Sequence, residues 1–309
     1  SLSEMSDRLD ELMKPLDELT GLDELKQTLR DIYKVECISQ ARRDMGLPPF
    51  KRQPCHFIFT GNPGTGKTTA ARLLGRVCHE MGLISEGDVV CHDRRSLVGE
   101  FIGETERKFS DILLEAKGNV LFIDEAYSLF VEDPQNKDFG RHVLEALLTV
   151  TTDPDSDLIV VPAGYEQKMQ QLLDSNPGLR SRFTYHFNFK DFTDKELVEI
   201  GRKVLEDNVL ELDEAGEQAL ARVAAMTREG RDEHFGNGRW MTGFITNAVM
   251  HAMANRLLAI GREVTIDDVT CVTAHDIHTA ASSDPELQRM KARAAQQHIS
   301  LKRRVGFVA

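Results

Sequence analysis

Short apolar runs, each followed by a stretch with helical periodicity, dominate the first two thirds of the chain. Continuous runs such as 120–123 favour strands buried on both faces of a parallel sheet, whereas the run at 185–189 alternates apolar and polar residues, as an edge strand does. Strands that alternate with helices predict a doubly wound parallel sheet that binds its ligand at the carboxyl ends of the strands. The predicted strands are 55–60, 89–91, 120–123, 158–161 and 185–189, and the predicted helices between them are 67–81, 106–117 and 138–149.

The first 54 residues are predicted to form an N-terminal helical segment. Leucines at helical spacing predict a helix over 1–20 that is interrupted at Pro15, because proline removes a helical hydrogen bond. A second helix is predicted over 22–45, before the break at Pro48 and Pro49, and we expect one of its faces to pack on the sheet domain.

The pattern becomes entirely helical after the α/β domain, which is predicted to span 55–191. Thr193 and Glu196 form a capping box that opens a helix to about 208, and Asp213 is expected to cap a second helix to about 228. A third helix carries an apolar stripe over 241–260 that we expect to be core packing. A short extended piece and a last helix over 262–278 complete a small all-helical domain at 192–280. Residues 281–309 form a basic tail, predicted to be a solvated helix or a partly disordered arm.

Composition limits the function classes. The 309 residues are 41% hydrophobic and 28% charged, which is typical of a soluble globular protein. The net charge of −12 disfavours broad nucleic-acid binding. The five scattered cysteines lack C-x-x-C spacing, so a reducing compartment is expected, and no apolar run approaches eighteen residues. We therefore expect a cytosolic protein without a membrane span; because the chain opens with Ser1, we also allow for an upstream domain.

The most specific motif follows the first predicted strand: residues 61–68 match G-x-x-x-x-G-K-[ST] in full. The glycines allow successive N–H groups to point at one anion, at the positive end of the following helix. Lys67 is expected to reach the β- and γ-phosphates of a nucleotide, and Thr68 to hold Mg²⁺. The predicted cofactor-binding residues are Gly61, Asn62, Pro63, Gly64, Thr65, Gly66, Lys67, Thr68 and Thr69.

Two acidic residues, Asp124 and Glu125, end the third predicted strand. Nucleotide hydrolysis needs a metal ion held between the phosphates and a group that orients or deprotonates the attacking water. Asp124 suits the first task, within the Mg²⁺ shell, and Glu125 suits the second. This pair therefore predicts an ATPase rather than a nucleotide-dependent switch.

Negative charge that develops on the γ-phosphate also calls for an arginine, from the same chain or from a neighbouring subunit. Arg180 and Arg182 lie in one turn-rich segment just before the last predicted strand, and Arg239 begins the third helix of the small domain. Spacing alone does not choose among these three candidates.

Taken together and in this order, the motifs resemble those of AAA+ ATPases and, more narrowly, of the CbbX/CfxQ/SpoVK branch, which includes red-type Rubisco activases, sporulation ATPases and the ATPase domain of a type VII secretion component. The resemblance covers about 16–260. Its residues are 59–68 (FTGNPGTGKT), 121–127 (LFIDEAY), 163–165 (AGY), 175–178 (SNPG), 181–183 (SRF) and 235–239 (FGNGR).

The resemblance implies a homo-oligomeric ring, usually a hexamer, with ATP bound at the subunit interfaces. By position, Arg182 would be the arginine finger that acts on a neighbour's ATP, with Arg180 in reserve, and Arg239 would be the arginine of the lid, as the small domain is called in this family. Phe101, Ile102 and Gly103 stand where the family has its aromatic pore loop, and an aromatic ring grips an extended polypeptide through apolar contact without reading its sequence.

Two positions depart from the family pattern. Gly164 and Tyr165 stand where many AAA+ proteins have a polar first sensor, although the CbbX branch shares this feature, and Tyr165 is our candidate for holding the attacking water. Trp240 and Met241 stand where branch members often continue with an arginine and an asparagine, so a lid contact or a regulatory site is expected to be missing.

These motifs predict an ATP-driven, ring-forming remodeller that threads part of a protein client through a central pore. One alternative is an assembly or secretion adaptor whose nucleotide state controls docking without threading. A third hypothesis is a DNA-handling ATPase, which the net negative charge of the chain disfavours. The sequence does not identify the client.

Overall fold

The computed structural model describes residues 1–19, 21–97, 104–130 and 139–306. The chain divides into two compact units. The first contains Ser1–Gly61 and Gly66–Phe189, and the second contains Asn62–Thr65 and Lys190–Ala309. In the part of the chain that the structure describes, no helix is both long enough and apolar enough to cross a membrane.

A five-stranded parallel sheet forms the centre of the first unit, so the predicted doubly wound sheet is confirmed. Its spatial order is β2-β3-β4-β1-β5, and β5 lies at an edge, as its alternating pattern predicted. All pairings are parallel, so the carboxyl ends of the strands share one edge of the sheet. The strands are β1 (Phe57–Gly61), β2 (Val89–His92), β3 (Val120–Ile123), β4 (Ile159–Gly164) and β5 (Tyr185–Phe189).

Alternation of side chains explains why the central strands are mostly apolar. In β1, Phe57 and Phe59 enter the core on one face of the sheet, while Ile58 enters the core on the other face. The same division separates Phe122 from Leu121 in β3. Because both faces are covered, the buried positions on either face of these strands favour an apolar side chain.

Helices pack on both faces of this sheet. The N-terminal pair and the helix after β1 contribute to the core on one face, and the helices that follow β2, β3 and β4 contribute to the core on the other. The helices are α1 (Leu2–Asp17), α2 (Asp23–Asp44), α3 (Lys67–Glu80), α4 (Arg94–Leu97), α5 (Glu104–Ala116), α6 (Phe139–Thr152), α7 (Glu166–Ser175) and α8 (Pro177–Arg182), with a 3₁₀ turn at Ala126–Phe130.

The interruption predicted at Pro15 is wrong, because α1 continues through Pro15 to Asp17. The proline stands two residues before the end of the helix, and Met13 and Leu16 on either side of it are fully buried. Burial of apolar side chains in the last turn therefore stabilises the helix by more than the loss of one backbone N–H donor at Pro15 destabilises it. The segment predicted to be turn-rich before β5 is also partly helical, since it contains α8.

The second unit is built from helices around one apolar core. Both predicted caps are present: the Thr193 side chain accepts from the Glu196 amide in a full capping box, and the Asp213 side chain accepts from the Gly216 amide. The helices are α9 (Asp194–Asp207), α10 (Glu214–Met226), α11 (Asn237–Gly243), α12 (Met250–Leu258), α13 (Ile266–Thr270), α14 (Ala274–Ser283) and α15 (Pro285–Gly306).

Two features of this unit go beyond the prediction. A two-residue parallel pairing joins β6 (Glu211–Leu212) to β7 (Cys271–Val272) among the helices. The third predicted helix is three pieces, because a π-helical stretch at Phe244–Val249 separates α11 from α12. Its apolar stripe is core, as predicted, with Met241 and Phe244 almost fully buried. The basic tail is helical, within α15.

Candidate functional site

The phosphate loop begins and ends in the first unit. β1 ends at Gly61, whose φ is +141° and where a Cβ atom would lie 2.3 Å from the carbonyl oxygen of Phe189, so only glycine fits. Lys67 opens α3, and its Nζ donates to the carbonyl oxygen of Gly61 at 2.8 Å. The ammonium group is therefore folded back over the loop, where an anion bound by the loop would meet it.

Thr68 and Thr69 follow Lys67 in the first turn of α3, and both are exposed. The first backbone bond of this helix runs from the Ala70 amide to the carbonyl oxygen of Gly66, at 2.8 Å. The amides of the preceding residues lie before the helical ladder starts, so they point out of the helix end towards a ligand. The start of α3 therefore combines amide donors, two exposed threonines and Lys67 in one turn.

The tip of the loop, Asn62–Thr65, belongs to the second unit. Gly64 has φ +70°, and a Cβ atom there would lie 1.9 Å from the carbonyl oxygen of Gly236. The Gly238 amide donates to the carbonyl oxygen of Gly64 at 2.9 Å. The glycine in the middle of the motif is therefore required by a backbone-to-backbone approach within this unit.

Asp124 and Glu125 follow β3 directly, and both are exposed. The Glu125 amide donates to Asp124 Oδ1 at 2.9 Å, and the Glu125 carbonyl oxygen accepts from the Ser128 hydroxyl at 2.6 Å. Glu125 has φ +50°, a left-handed conformation that is uncommon for a residue with a side chain. Local hydrogen bonds hold this conformation, and strain of this kind clusters at functional sites.

The sheet brings the ends of β1 and β3 to the same edge, with only β4 between them. Neighbouring strands are about 4.8 Å apart, so roughly 10 Å separates the axes of these two strands. Phosphates, a hydrated Mg²⁺ ion and an attacking water that lie beyond the strand ends would therefore be close to both strands. The exposed Thr68 hydroxyl and Asp124 carboxylate are the hard oxygen donors that Mg²⁺ prefers.

Tyr127 is a site residue to which sequence reasoning gave no role. A Cβ atom on Gly164, at the end of β4, would lie 2.9 Å from Tyr127 Cδ1, so the tyrosine ring occupies the space that a side chain at 164 would need. The Tyr127 and Tyr165 rings are 6.4 Å apart, and Lys168 Nζ lies over both, at 4.8 and 5.4 Å from their centroids. Burial raises the pKa of the Tyr127 hydroxyl, and the Glu125 charge adds to that rise.

The two arginines of α8 have different partners. Arg180 is exposed and forms an ion pair with Asp174, at 2.6 Å between Nη2 and Oδ1. Arg182 is half-buried and donates to two hydroxyl groups, from its Nε to Thr152 Oγ1 at 2.8 Å and from its Nη1 to Ser181 Oγ at 3.3 Å. Arg180 is thus neutralised by a carboxylate, whereas Arg182 is oriented by neutral groups.

Arg239 lies in the second unit, two residues after the start of α11, and is exposed. It lines an open cavity of about 510 Å³ together with Trp240, Asn247 and His251. The predicted pore-loop residues Phe101, Ile102 and Gly103 lie outside the described residues.

Comparison with known families agrees with this geometry. Residues 57–191 match the ATPase family associated with various cellular activities (AAA), and residues 193–287 match the AAA lid domain. The chain therefore belongs to the AAA family of ATPases, and it is an ATPase.

Full-length relatives narrow the assignment. Stage V sporulation protein K of Bacillus subtilis is 35% identical over 270 residues, which is 87% of this chain and 82% of that protein. The chloroplast ribulose bisphosphate carboxylase/oxygenase activase of Cyanidioschyzon merolae is 36% identical over 272 residues, which is 87% of this chain and 91% of that protein. Within the AAA family, the chain belongs to the CfxQ/CbbX/SpoVK branch.

A solved structure supports the fold. The FIGL-1 AAA domain in complex with ADP is 24% identical and superposes with a TM-score of 0.57, over 89% of this chain and 87% of that one. At this level of identity the similarity shows only that the two chains share a fold.

Proposed function

We propose that the chain is a ring-forming ATPase that uses ATP hydrolysis to remodel a protein client in the cytosol. The main support for ring formation is the difference between the two arginines of α8. Arg180 has a carboxylate partner, whereas Arg182 is held by hydroxyl groups. A positive charge kept in place by neutral groups remains able to pair with a phosphate of a neighbouring subunit.

Within each nucleotide site, Lys67 binds the β- and γ-phosphates while the amides at the start of α3 and of the loop surround them. Glu125 accepts a proton from the attacking water, or orients that water, from its exposed position after β3. Arg182 of the next subunit and Arg239 of the lid stabilise charge that develops on the γ-phosphate. Tyr165 remains our candidate for orienting the water, now with Tyr127 and Lys168 beside it.

Thr68 and Asp124 are the residues that would hold Mg²⁺. When bound, the ion neutralises charge on the phosphates. The chain's own contribution is to present one hydroxyl and one carboxylate at the shared edge of the sheet, with Asp124 fixed through its hydrogen bond from the Glu125 amide.

The client is a protein, gripped by Phe101 on a central pore loop formed with Ile102 and Gly103. One relative supports this proposal. It is named as an activase of ribulose bisphosphate carboxylase/oxygenase, so by its name it acts on another protein. A second relative is named for sporulation, so the branch serves different processes, and membership does not identify the client of this chain.

The first test replaces Glu125 by glutamine, which keeps the shape of the side chain and removes its basicity. We expect Glu125→Gln to bind ATP and assemble as the wild type does, with kcat lower by roughly 100-fold or more, the contribution usual for a general base. The matched control is Glu199→Gln, the same change on an exposed residue of α9. Hydrolysis by Glu125→Gln at the control's rate would refute the role of Glu125.

The second test concerns the client. The stalled Glu125→Gln ring serves to capture a client, which is then purified and used in a remodelling assay. We expect Phe101→Ala to hydrolyse ATP normally and lose remodelling, while Phe50→Ala, the same change at an exposed phenylalanine after α2, loses neither. Remodelling that persists in Phe101→Ala would refute the pore-loop role. Remodelling driven by ATP binding without hydrolysis would favour the adaptor instead.

A further inference from the structure

Asn237 is the most constrained polar residue of the second unit. It opens α11, its side chain is fully buried, and its φ is +50°, a left-handed conformation that asparagine tolerates better than most residues. Its Nδ2 donates to Asp191 Oδ1 at 2.9 Å and to the carbonyl oxygen of Phe235 at 3.1 Å. Its Oδ1 accepts from the Phe192 amide at 2.8 Å. Both ends of the amide are therefore in use.

Asp191 connects this asparagine to the tip of the phosphate loop. The same Oδ1 atom that accepts from Asn237 also accepts from Asn62 Nδ2 at 2.9 Å. Asn237 Nδ2 lies 3.4 Å from the carbonyl oxygen of Pro63, a long additional contact. One carboxylate oxygen thus ties together two asparagines that are 175 positions apart in the sequence.

Backbone contacts complete the connection. The Gly238 amide donates to the carbonyl oxygen of Gly64, and Gly64 approaches Gly236 so closely that a Cβ atom would overlap its carbonyl oxygen. Arg231 donates to the carbonyl oxygen of Phe192, so both backbone polar groups of that residue are bonded. The tip of the loop and the start of α11 consequently form one hydrogen-bonded piece.

We propose that Asn237 is a positioning residue: through Asp191 it fixes the loop tip Asn62–Thr65 to the start of the lid helix, so that the tip is held in its anion-binding shape before nucleotide arrives. Arg239, two residues further along α11, is then presented by the same piece. This inference rests on the proposed nucleotide site but on neither ring formation nor a client. The test therefore measures ADP binding by the chain alone, without a client.

Substitutions at Asn237 can separate the effect of its side-chain shape from the effect of its hydrogen bonds. Asn237→Asp keeps the size of the side chain and the tolerance of a left-handed backbone, but it removes both donors and sets a second carboxylate against Asp191. Asn237→Gly keeps the backbone conformation and deletes the side chain. Asp191→Asn keeps an oxygen acceptor and adds donors, so it serves as the partner change in a double variant. The control is Asn247→Asp, the same change on an exposed residue of the neighbouring π-helical stretch.

The experiment measures the Kd for ADP by calorimetry, with the thermal unfolding midpoint recorded for each variant. A buried polar group left without its partner weakens the structure that depends on it, so we expect Asn237→Asp and Asn237→Gly to raise the Kd about ten-fold or more. Asn247→Asp should stay within about two-fold of the wild type. The double variant Asp191→Asn with Asn237→Asp restores a donor opposite an acceptor, and we expect it to bind ADP more tightly than Asn237→Asp alone.

A wild-type Kd retained in folded Asn237→Asp and Asn237→Gly would overturn the inference, as would a double variant no tighter than Asn237→Asp. Should Asn237→Asp fail to fold, Asn237→Gly carries the same test. Absence of ADP binding by the wild type would instead refute the nucleotide site itself, so the two failures are distinguishable.

Discussion

The candidate nucleotide-site groups of the two units differ in their surroundings. In the first unit the candidate groups are side chains on or near the surface: Asp124 and Glu125 after β3, Thr68 in α3 and Arg182 at the end of α8. In the second unit Arg239 is exposed, but the groups that hold the loop tip are constrained: Asn237 is buried at the centre of a hydrogen-bonded piece, and Gly64 lies against a backbone carbonyl group. We therefore expect the first unit to supply reactive groups and the second to fix where the loop tip lies.

This difference predicts how substitutions behave. A partly or fully exposed side chain that touches substrate is removed with little effect on folding, and the loss appears in kcat. A buried polar group that holds a loop affects binding first, because the loop loses its shape before any chemistry occurs. Substitutions at Glu125 and Arg182 in the first unit should therefore lower turnover, while those at Asn237 and Gly64 in the second should weaken nucleotide binding.

The largest effect is expected from the arginines of α8. Arg182→Ala should lower kcat by roughly 1,000-fold, the lower end of what an arginine finger contributes, with ATP affinity nearly unchanged. Arg180→Ala should change kcat by no more than about two-fold, because Arg180 pairs with Asp174 on an exposed surface and such pairs contribute little. Steady-state ATPase kinetics of both variants provide the measurement.

The comparison between these arginines fails if Arg180→Ala is the more damaging change, because the finger would then be Arg180. Equal losses in both variants, accompanied by a lower unfolding temperature, would indicate that α8 serves the stability of the first unit rather than catalysis.

A smaller effect, on binding, is expected in the second unit. Gly64→Ala places a methyl group 1.9 Å from the carbonyl oxygen of Gly236, so the backbone of the loop tip has to move. We expect the Kd for ADP to rise about ten-fold or more. The control is Gly243→Ala, where the nearest atom is 3.8 Å away and φ is −64°, so alanine fits the end of α11 without strain.

Fluorescence titration with a labelled ADP analogue measures both glycine variants. Gly64→Ala that binds the analogue as tightly as Gly243→Ala does would show that the loop tip need not stay against Gly236. That result would also remove the distinction drawn between the two units.

Much of the first unit could be predicted from sequence because its signals are local. The phosphate loop, the apolar central strands and the two acidic residues after β3 are each contained within about a dozen residues. β4 was predicted to end at Val161, before a proline, yet it continues through Pro162 to Gly164. Pairing with a strand on each side maintains it despite the missing donor.

The rest depends on contacts between distant parts of the chain. The motif around Gly238 and Arg239 was recognisable, but nothing in its spacing indicates that Asn237 bonds to Asp191, 46 positions earlier. Likewise, Gly164 looked like a missing sensor, and only the structure shows that the Tyr127 ring fills the space beside it. Such pairings follow from the folded arrangement, which local patterns do not encode.

The central claim is that a neighbouring subunit completes each ATP site, and mixing two inactive variants tests it most directly. Glu125→Gln subunits retain Arg182, and Arg182→Ala subunits retain Glu125. In rings assembled from equal amounts of both, roughly a quarter of the sites combine an intact Glu125 with an intact neighbouring Arg182. We predict ATPase activity of about a quarter of wild type from the mixture, and activity no greater than the average of the two variants assayed alone would contradict the account.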